Sequence, residues 1–286
     1  MYLNEIEKID EILPRYKAII CDIWGVLHNG VEIHQDAVAA LRRARAKGLK
    51  VILLTNAPKC SDIIQTRFSK MGVPDIFWDD TVTSGDTVQA HLLAHKKAPK
   101  VYHWGPDADR GLYKGTNATF TDKPEDADFI ICTGLTKSET EISSEEVAML
   151  DAPASKKVPF LCANPDRSVK VGDKFMICAG TLADIYADLG GPVEFFGKPY
   201  PAVYQRCFDL IGAMDDAIET SDILAVGDGL YTDIKGASQI GLDVLMIKFG
   251  LHKDLFDVPA EESFTVLRET CEQADVMPDY VMNMMK

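Results

Sequence analysis

The chain has no CxxC cysteine pair, no apolar run near the ~18 residues of a membrane span, and too few cations to balance its acids. Each absence excludes something. Seven cysteines, at 21, 60, 132, 162, 178, 207 and 271, are scattered, and several lie inside apolar runs, where a cysteine is a small buried hydrophobe. An odd number without a framework excludes a secreted disulfide scaffold and points to a reducing, cytoplasmic setting. Residues 1–16 alternate acidic and apolar side chains and lack the cationic-then-apolar order of a secretory leader. Thirty Lys and Arg against 44 Asp and Glu, a formal charge of −14, argue against nucleic acid and anionic membranes as partners. Any anionic ligand must therefore meet a local positive site.

What is present reads as a soluble globular protein: 286 residues, 47% hydrophobic and 26% charged, enough for one large domain or two ordinary ones. The first third alternates strand and helix patterns. Ala18-Ile19-Ile20-Cys21 is a short apolar run closed by Asp22. Val38, Leu41 and Ala44 then recur at helical spacing, with Gly48 as a stop. Leu49 to Leu54 is a second apolar run, ending in Thr55-Asn56-Ala57-Pro58, and Ser61 opens a helix carrying Ile64, Phe68 and Met71. The last third repeats this grammar. A helix over Tyr204 to Met214 precedes a strand over Ile223 to Val226 that ends at Gly227-Asp228. A helix over Thr232 to Ile240, a strand over Val244 to Ile247, a helix over Glu261 to Gln273 and a short strand over Tyr280 to Met282 follow. Strand and helix in alternation predict an α/β protein with a doubly wound parallel sheet. The middle has its own strands (Val101 to Trp104, Phe129 to Thr133, Val158 to Ala163) and helices near 109–113, 144–150 and 182–189. The expected architecture is a discontinuous core domain, 1–84 and 193–286, interrupted by an inserted α/β domain, 85–192.

The chemistry gathers at or just after the C-terminal ends of the predicted core strands, where open α/β sheets place their ligands. Asp22 opens Asp22-Ile23-Trp24-Gly25-Val26-Leu27. An ionised carboxylate at the end of a buried strand is costly without a metal, a cation or a reaction to serve. Thr55-Asn56 offers a hydroxyl and an amide, Gly197-Lys198-Pro199 a cation, and Gly227-Asp228 with Thr232-Asp233 two further carboxylates. A metal, a neutralising cation and a positioned nucleophile are the parts phosphoryl transfer needs.

This order and spacing resembles the haloacid dehalogenase superfamily, specifically its class IIA branch of NagD-type nucleotide and sugar phosphatases, phosphoglycolate phosphatase and pyridoxal phosphatase. The resemblance runs from Asp22 through Leu54-Thr55-Asn56, Asn164-Pro165-Asp166 and Gly197-Lys198-Pro199 to Asp228 and Asp233. It implies a Rossmann-like core and a Mg²⁺-dependent phosphatase of small phosphorylated metabolites, a sugar phosphate, a nucleotide or similar. Asp22 matches the nucleophile that becomes an aspartyl-phosphate, and splitting one displacement into two makes each step easier. Thr55 matches the phosphate-binding residue, with Asn56 supporting it. Lys198 matches the catalytic lysine that offsets charge on nucleophile and phosphoryl group. Asp22, Asp228 and the backbone carbonyl of Trp24 match the metal ligands, and Asp233 a carboxylate that binds the metal or orients its outer shell. The 85–192 insert matches the cap that sets leaving-group specificity, and because such caps can mediate dimers the resemblance admits a homodimer.

Trp24 departs from the pattern, because the family's phosphatases usually carry there an aspartate that acts as general acid and then base. Losing a positioned acid/base costs about 10²- to 10⁴-fold in rate. Three outcomes stay open: a slow phosphatase, an enzyme with a substitute acid such as His28 or a cap residue, or a phosphate-ligand binding or regulatory protein without efficient turnover. Other signals carry less. His91 and His95 have zinc-helix spacing, but Leu92 stands where HExxH requires glutamate. Gly191 to Lys198 lacks the hydroxyl residue of a P-loop, and Glu139, Glu141, Glu145 and Glu146 read as a solvated helix entry.

Overall fold

Continuous apolar strands buried on both faces build the frame that carries the predicted site. The computed structural model describes residues 4–137, 140–172, 174–256 and 258–286. The chain divides into two compact units: Met1–Thr55, Gln65–Val82 and Lys198–Lys286 in the first, Asn56–Ile64 and Thr83–Gly197 in the second. Segment 85–192 lies wholly in the second unit, together with 56–64.

The first unit is organised by a seven-stranded sheet in the order Asn4–Glu5, Tyr280–Met282, Asp243–Ile247, Ile223–Gly227, Ala18–Asp22, Lys50–Thr55, Asp80–Thr83. Ladders joining the first six are all parallel. Every residue of Ala18–Asp22 and of Ile223–Gly227 is buried, as a central parallel strand covered on both faces requires. Helix Gln35–Ala46 turns Ala37, Val38, Leu41 and Ala44 inward at helical spacing. Pro201–Met214, opened by a proline whose missing N–H costs nothing at that position, buries Val203, Tyr204, Cys207 and Ile211. Register aligns Asp22 with Leu54 and Val226 with Cys21. Because the strands are parallel, Asp22, Thr55 and Gly227 reach the same rim.

The second unit has a parallel five-stranded sheet, Val193–Phe195, Phe160–Cys162, Phe129–Cys132, Lys100–Trp104, Thr119–Phe120. Trp104, Phe160, Leu182 and Tyr186 fill a core on it, and an antiparallel hairpin pairs Ser168–Val171 with Lys174–Ile177. His91 and His95 contact each other and Phe129 ring to ring, as a helix face rather than a metal site would.

Two local expectations change. The segment read as one helix over Thr232 to Ile240 begins as a π turn, Leu230–Ile234, before Lys235–Gln239 continues as α-helix. Such π turns recur at functional sites, and this one carries Asp233. Glu146 is buried rather than solvated. It closes a capping box on Ser143, whose backbone N–H and hydroxyl both donate to Oε2, and it accepts from the Thr136 hydroxyl. Glu141 and Glu145 are exposed, and Glu139 lies outside the described residues.

Candidate active site

Asp22 ends its strand with a side chain 6% exposed, so its charge has to be met inside the protein. The Lys198 ammonium, 3% exposed, donates to Asp22 Oδ1 at 2.6 Å and to Asp233 Oδ1 at 2.7 Å. It also reaches the Leu54 carbonyl at 3.4 Å, which ties the cation to the neighbouring strand. Asp228 follows the glycine that ends Ile223–Gly227 and is equally buried. Asp22, Asp228 and Asp233 each place one carboxylate oxygen within 4.8 Å of the others. Asp22 and Asp228, 206 positions apart in the chain, thus belong to one cluster with Asp233.

The surrounding backbone shapes this cluster. Gly25 has φ +83°, and a Cβ there would stand 1.8 Å from Asp228 Oδ2. Gly250 is as constrained, with a Cβ meeting the same oxygen at 2.0 Å. Only hydrogens on two α-carbons leave room for the Asp228 carboxylate. The Leu251 backbone N–H donates to Asp228 Oδ2, and the Leu230 N–H reaches His252 Nε2 at 3.5 Å. Gly250, Leu251 and His252 were missed from sequence. Asp233 is held at both oxygens: Oδ1 accepts from Lys198, and Oδ2 from the Gly229 N–H at 3.2 Å and the Thr232 hydroxyl at 3.3 Å.

Three carboxylates around one ammonium leave an excess of negative charge. Burial first, then the Asp233 carboxylate and more weakly Asp228, raise Asp22 well above the usual carboxylate range against the pull of Lys198. All-oxygen donors with surplus negative charge suit a hard divalent cation of the Mg²⁺ type. Asp22 and Asp228 are the ligand candidates, while the engaged oxygens of Asp233 suit it better to orienting Lys198.

Thr55 is buried at the end of Lys50–Thr55, on the rim with Asp22. Asn56 groups with the second unit, where its Nδ2 donates to Asp166 Oδ1 at 2.9 Å. Asp166 belongs to the Asn164-Pro165-Asp166 loop, in which Asn164 Oδ1 accepts from the Asp166 N–H.

Trp24 and His28 are packed against each other. Their rings meet edge to face, centroids 4.9 Å apart, in a turn closed by Gly25 N–H to the His28 carbonyl at 2.8 Å. His28 is 1% exposed, and its Nδ1 accepts from the Gly30 N–H at 3.1 Å, which puts the ring proton on Nε2. Burial, and then the nearby Arg67 charge, push the imidazole down to about 3. At neutral pH the ring is therefore neutral, and its one remaining Nε2 proton is too weakly acidic for His28 to act as substitute acid. The Arg67 guanidinium sits 4.9 Å over the Trp24 ring.

Comparison with known proteins was made against this geometry. A family model described as haloacid dehalogenase-like hydrolase matches residues 19–119, and a second, HAD-hydrolase-like, matches 195–284. The ribonucleotide monophosphatase NagD of Escherichia coli K12 is 30% identical over 257 residues, 87% of this chain and 94% of that protein. The 5′-nucleotidase YutF of Bacillus subtilis is 25% identical over 243 residues, 84% of this chain and 90% of that one. A crystal structure of a haloacid dehalogenase-like hydrolase from Brucella suis 1330 superposes with a TM-score of 0.85 at 34% identity, covering 98% of this chain and all of the other.

Proposed function

The chain belongs to the haloacid dehalogenase-like hydrolase family, and from that premise we propose that it is a Mg²⁺-dependent phosphatase of small phosphomonoesters working through Asp22. The observation that carries this reading is the Lys198 ammonium held between Asp22 and Asp233 beside Asp228. Nucleophile, neutralising cation and metal carboxylates share one buried rim. Relatives named as nucleotide and sugar phosphatases support a sugar phosphate or nucleotide as the substrate class.

In this reading an Asp22 oxygen attacks phosphorus, the ester bond to the leaving oxygen breaks, and an aspartyl-phosphate forms. Water then cleaves it, releasing phosphate and restoring the carboxylate. Lys198 stabilises the ionised Asp22 and the phosphoryl oxygens, while Asp233 keeps the ammonium aimed. Thr55 binds phosphate through its hydroxyl, and Asn56 supports that contact. Mg²⁺, held by Asp22, Asp228 and the Trp24 carbonyl, would neutralise charge on the phosphoryl oxygens. The 85–192 segment is assigned as the cap. All seven cysteines are free thiols, in keeping with a cytoplasmic protein, and among the described residues no helix is long and apolar enough to cross a membrane.

One observation favours a second reading. Two groups against the indole, neutral His28 and Arg67, are poor proton donors at neutral pH. A site that binds phosphate ligands yet turns over poorly is the alternative, with a binding or regulatory role. Purified protein with Mg²⁺, assayed for phosphate release from a panel of nucleotides, sugar phosphates and aryl phosphates beside Asp22→Asn, separates the two. Turnover above that control is expected, and none on any substrate would leave the binding role.

A further inference from the structure

Arg67 is a half-buried cation with no counter-ion among the described residues. It lies in helix Ile64–Lys70, and its side chain makes no ion pair and no hydrogen bond to any described residue. This is unusual within the molecule. Arg43, Arg45, Arg110 and Arg167 each hold a carboxylate at 2.6–2.9 Å, in a chain with acids to spare. Burial alone lowers the Arg67 pKa, with no carboxylate close enough to oppose it. A guanidinium removed from water without a partner is costly, and an anion from outside would relieve that cost.

The placement of Arg67 says which anion. Its guanidinium stacks on Trp24, whose own residue lies two positions after Asp22 and next to Gly25, which packs against Asp228. Both Trp24 and Arg67 are partly exposed. The Trp24 ring lies against the guanidinium at cation–π distance and holds no hydrogen-bond acceptor, so the N–H donors stay able to meet two oxygens of an anion. His28, packed edge to face with the indole, is neutral and does not compete for that anion.

We propose that Arg67, positioned by Trp24, is the specificity-determining residue of this site and binds a second anionic group, a carboxylate or second phosphate, on the leaving-group part of the substrate. The proposal rests on the phosphomonoester reading for the first phosphate, but its test does not depend on turnover. In Asp22→Asn protein with Mg²⁺, calorimetry compares 3-phosphoglycerate with glycerol 3-phosphate, and fructose 1,6-bisphosphate with fructose 6-phosphate. The more anionic member of one pair is expected to bind at least about tenfold tighter, the worth of one charge-assisted contact. The first pair responding identifies a carboxylate, the second a phosphate. Adding Arg67→Met should collapse the responding ratio to below about threefold, and Arg67→Lys should keep part of it. Arg67→Gln repeats the measurement should the methionine variant melt early by circular dichroism. A merely structural role would shift both members of a pair together. Ratios near one in the parent protein, or a ratio unchanged by Arg67→Met and Arg67→Gln, would overturn the proposal. Failure of the wild type to release phosphate from any ester would instead count against the phosphatase reading.

Discussion

Replacing Lys198 by methionine removes the cation that reconciles Asp22 with Asp233 while keeping most of the side-chain volume. The ammonium is 3% exposed and lies 2.6 and 2.7 Å from the two carboxylates, so its loss strands two charges in a site with little water. Breaking a buried pair by deleting one partner costs about 3–5 kcal/mol. The carboxylates can escape only by taking up protons. Asp22 already has a folded-state pKa above its unfolded value of 3.8, and Lys198 is among the influences holding it down. A carboxyl raised on folding binds more protons folded than unfolded, so stability falls as pH rises through the folded value. The variant's deficit should therefore widen between pH 5.5 and pH 8. Hydrogen exchange read on peptides covering Ala18–Asp22 isolates the strand concerned. At pH 8 without metal, 3–5 kcal/mol corresponds to protection lost by about 10²- to 10⁴-fold. Mg²⁺ should restore part of it, since an added divalent cation binds only the folded cluster. A loss under tenfold at pH 8, or an equal loss at pH 5.5, would refute the coupling of Lys198 to this carboxylate cluster.

Trp24→Asp should raise kcat on alkyl phosphates about tenfold or more, and further with Arg67→Met beside it, because Arg67 over position 24 would hold the new carboxylate ionised and a poor acid. No gain in either protein would refute the missing-acid reasoning. His28, lowered from 6.5 to about 3 by burial, is a depressed group, so its contribution is present at pH 7 and is lost as pH falls. Wild type should lose about 2 kcal/mol more than His28→Gln between pH 7 and pH 5 in urea unfolding, and parallel curves would refute the buried neutral imidazole. Gly25→Ala should weaken Mg²⁺ binding, read as a smaller metal-induced rise in Tm, because its Cβ would stand 1.8 Å from Asp228 Oδ2 at a φ of +83°.

Legibility followed burial and side-chain chemistry. Ala18–Asp22, Lys50–Thr55, Ile223–Gly227 and Asp243–Ile247 were readable because strands buried on two faces write themselves as unbroken apolar runs. Asp80–Thr83 was not, having one apolar residue among polar ones, and neither was the half-exposed hairpin of Ser168–Val171 and Lys174–Ile177. Helix Ser84–Ala94 hides behind Gly85, although Thr83 caps it by accepting from the Asp86 N–H. Within the site, Asp22 and Asp228 announce themselves by charge at strand ends, and Lys198 and Asp233 by their order in the motif set. Leu251 does not, because a backbone N–H leaves no mark on residue type. Nothing in the sequence marks Arg67, and only the folded chain sets it on Trp24.

The tryptophan at position 24 is therefore part of a consistent local arrangement rather than a single lost aspartate. An acid/base carboxylate there would face Arg67, which favours the ionised form, and His28, which cannot relay a proton while buried and neutral. With those neighbours the position supports binding of charge better than transfer of a proton. In the proposed reaction the step that would suffer is departure of the leaving oxygen, which would have to accept negative charge without a proton donor. Substrates that leave as stable anions (aryl phosphates, acyl phosphates, phosphoanhydrides) lose least by this, and simple alkyl phosphates lose most. An anionic group on the leaving portion, held by Arg67, would keep that portion close to a cation while charge builds on it. If Asp22 is the nucleophile, Trp24 would limit the site less by abolishing phosphoryl transfer than by restricting which esters can complete it.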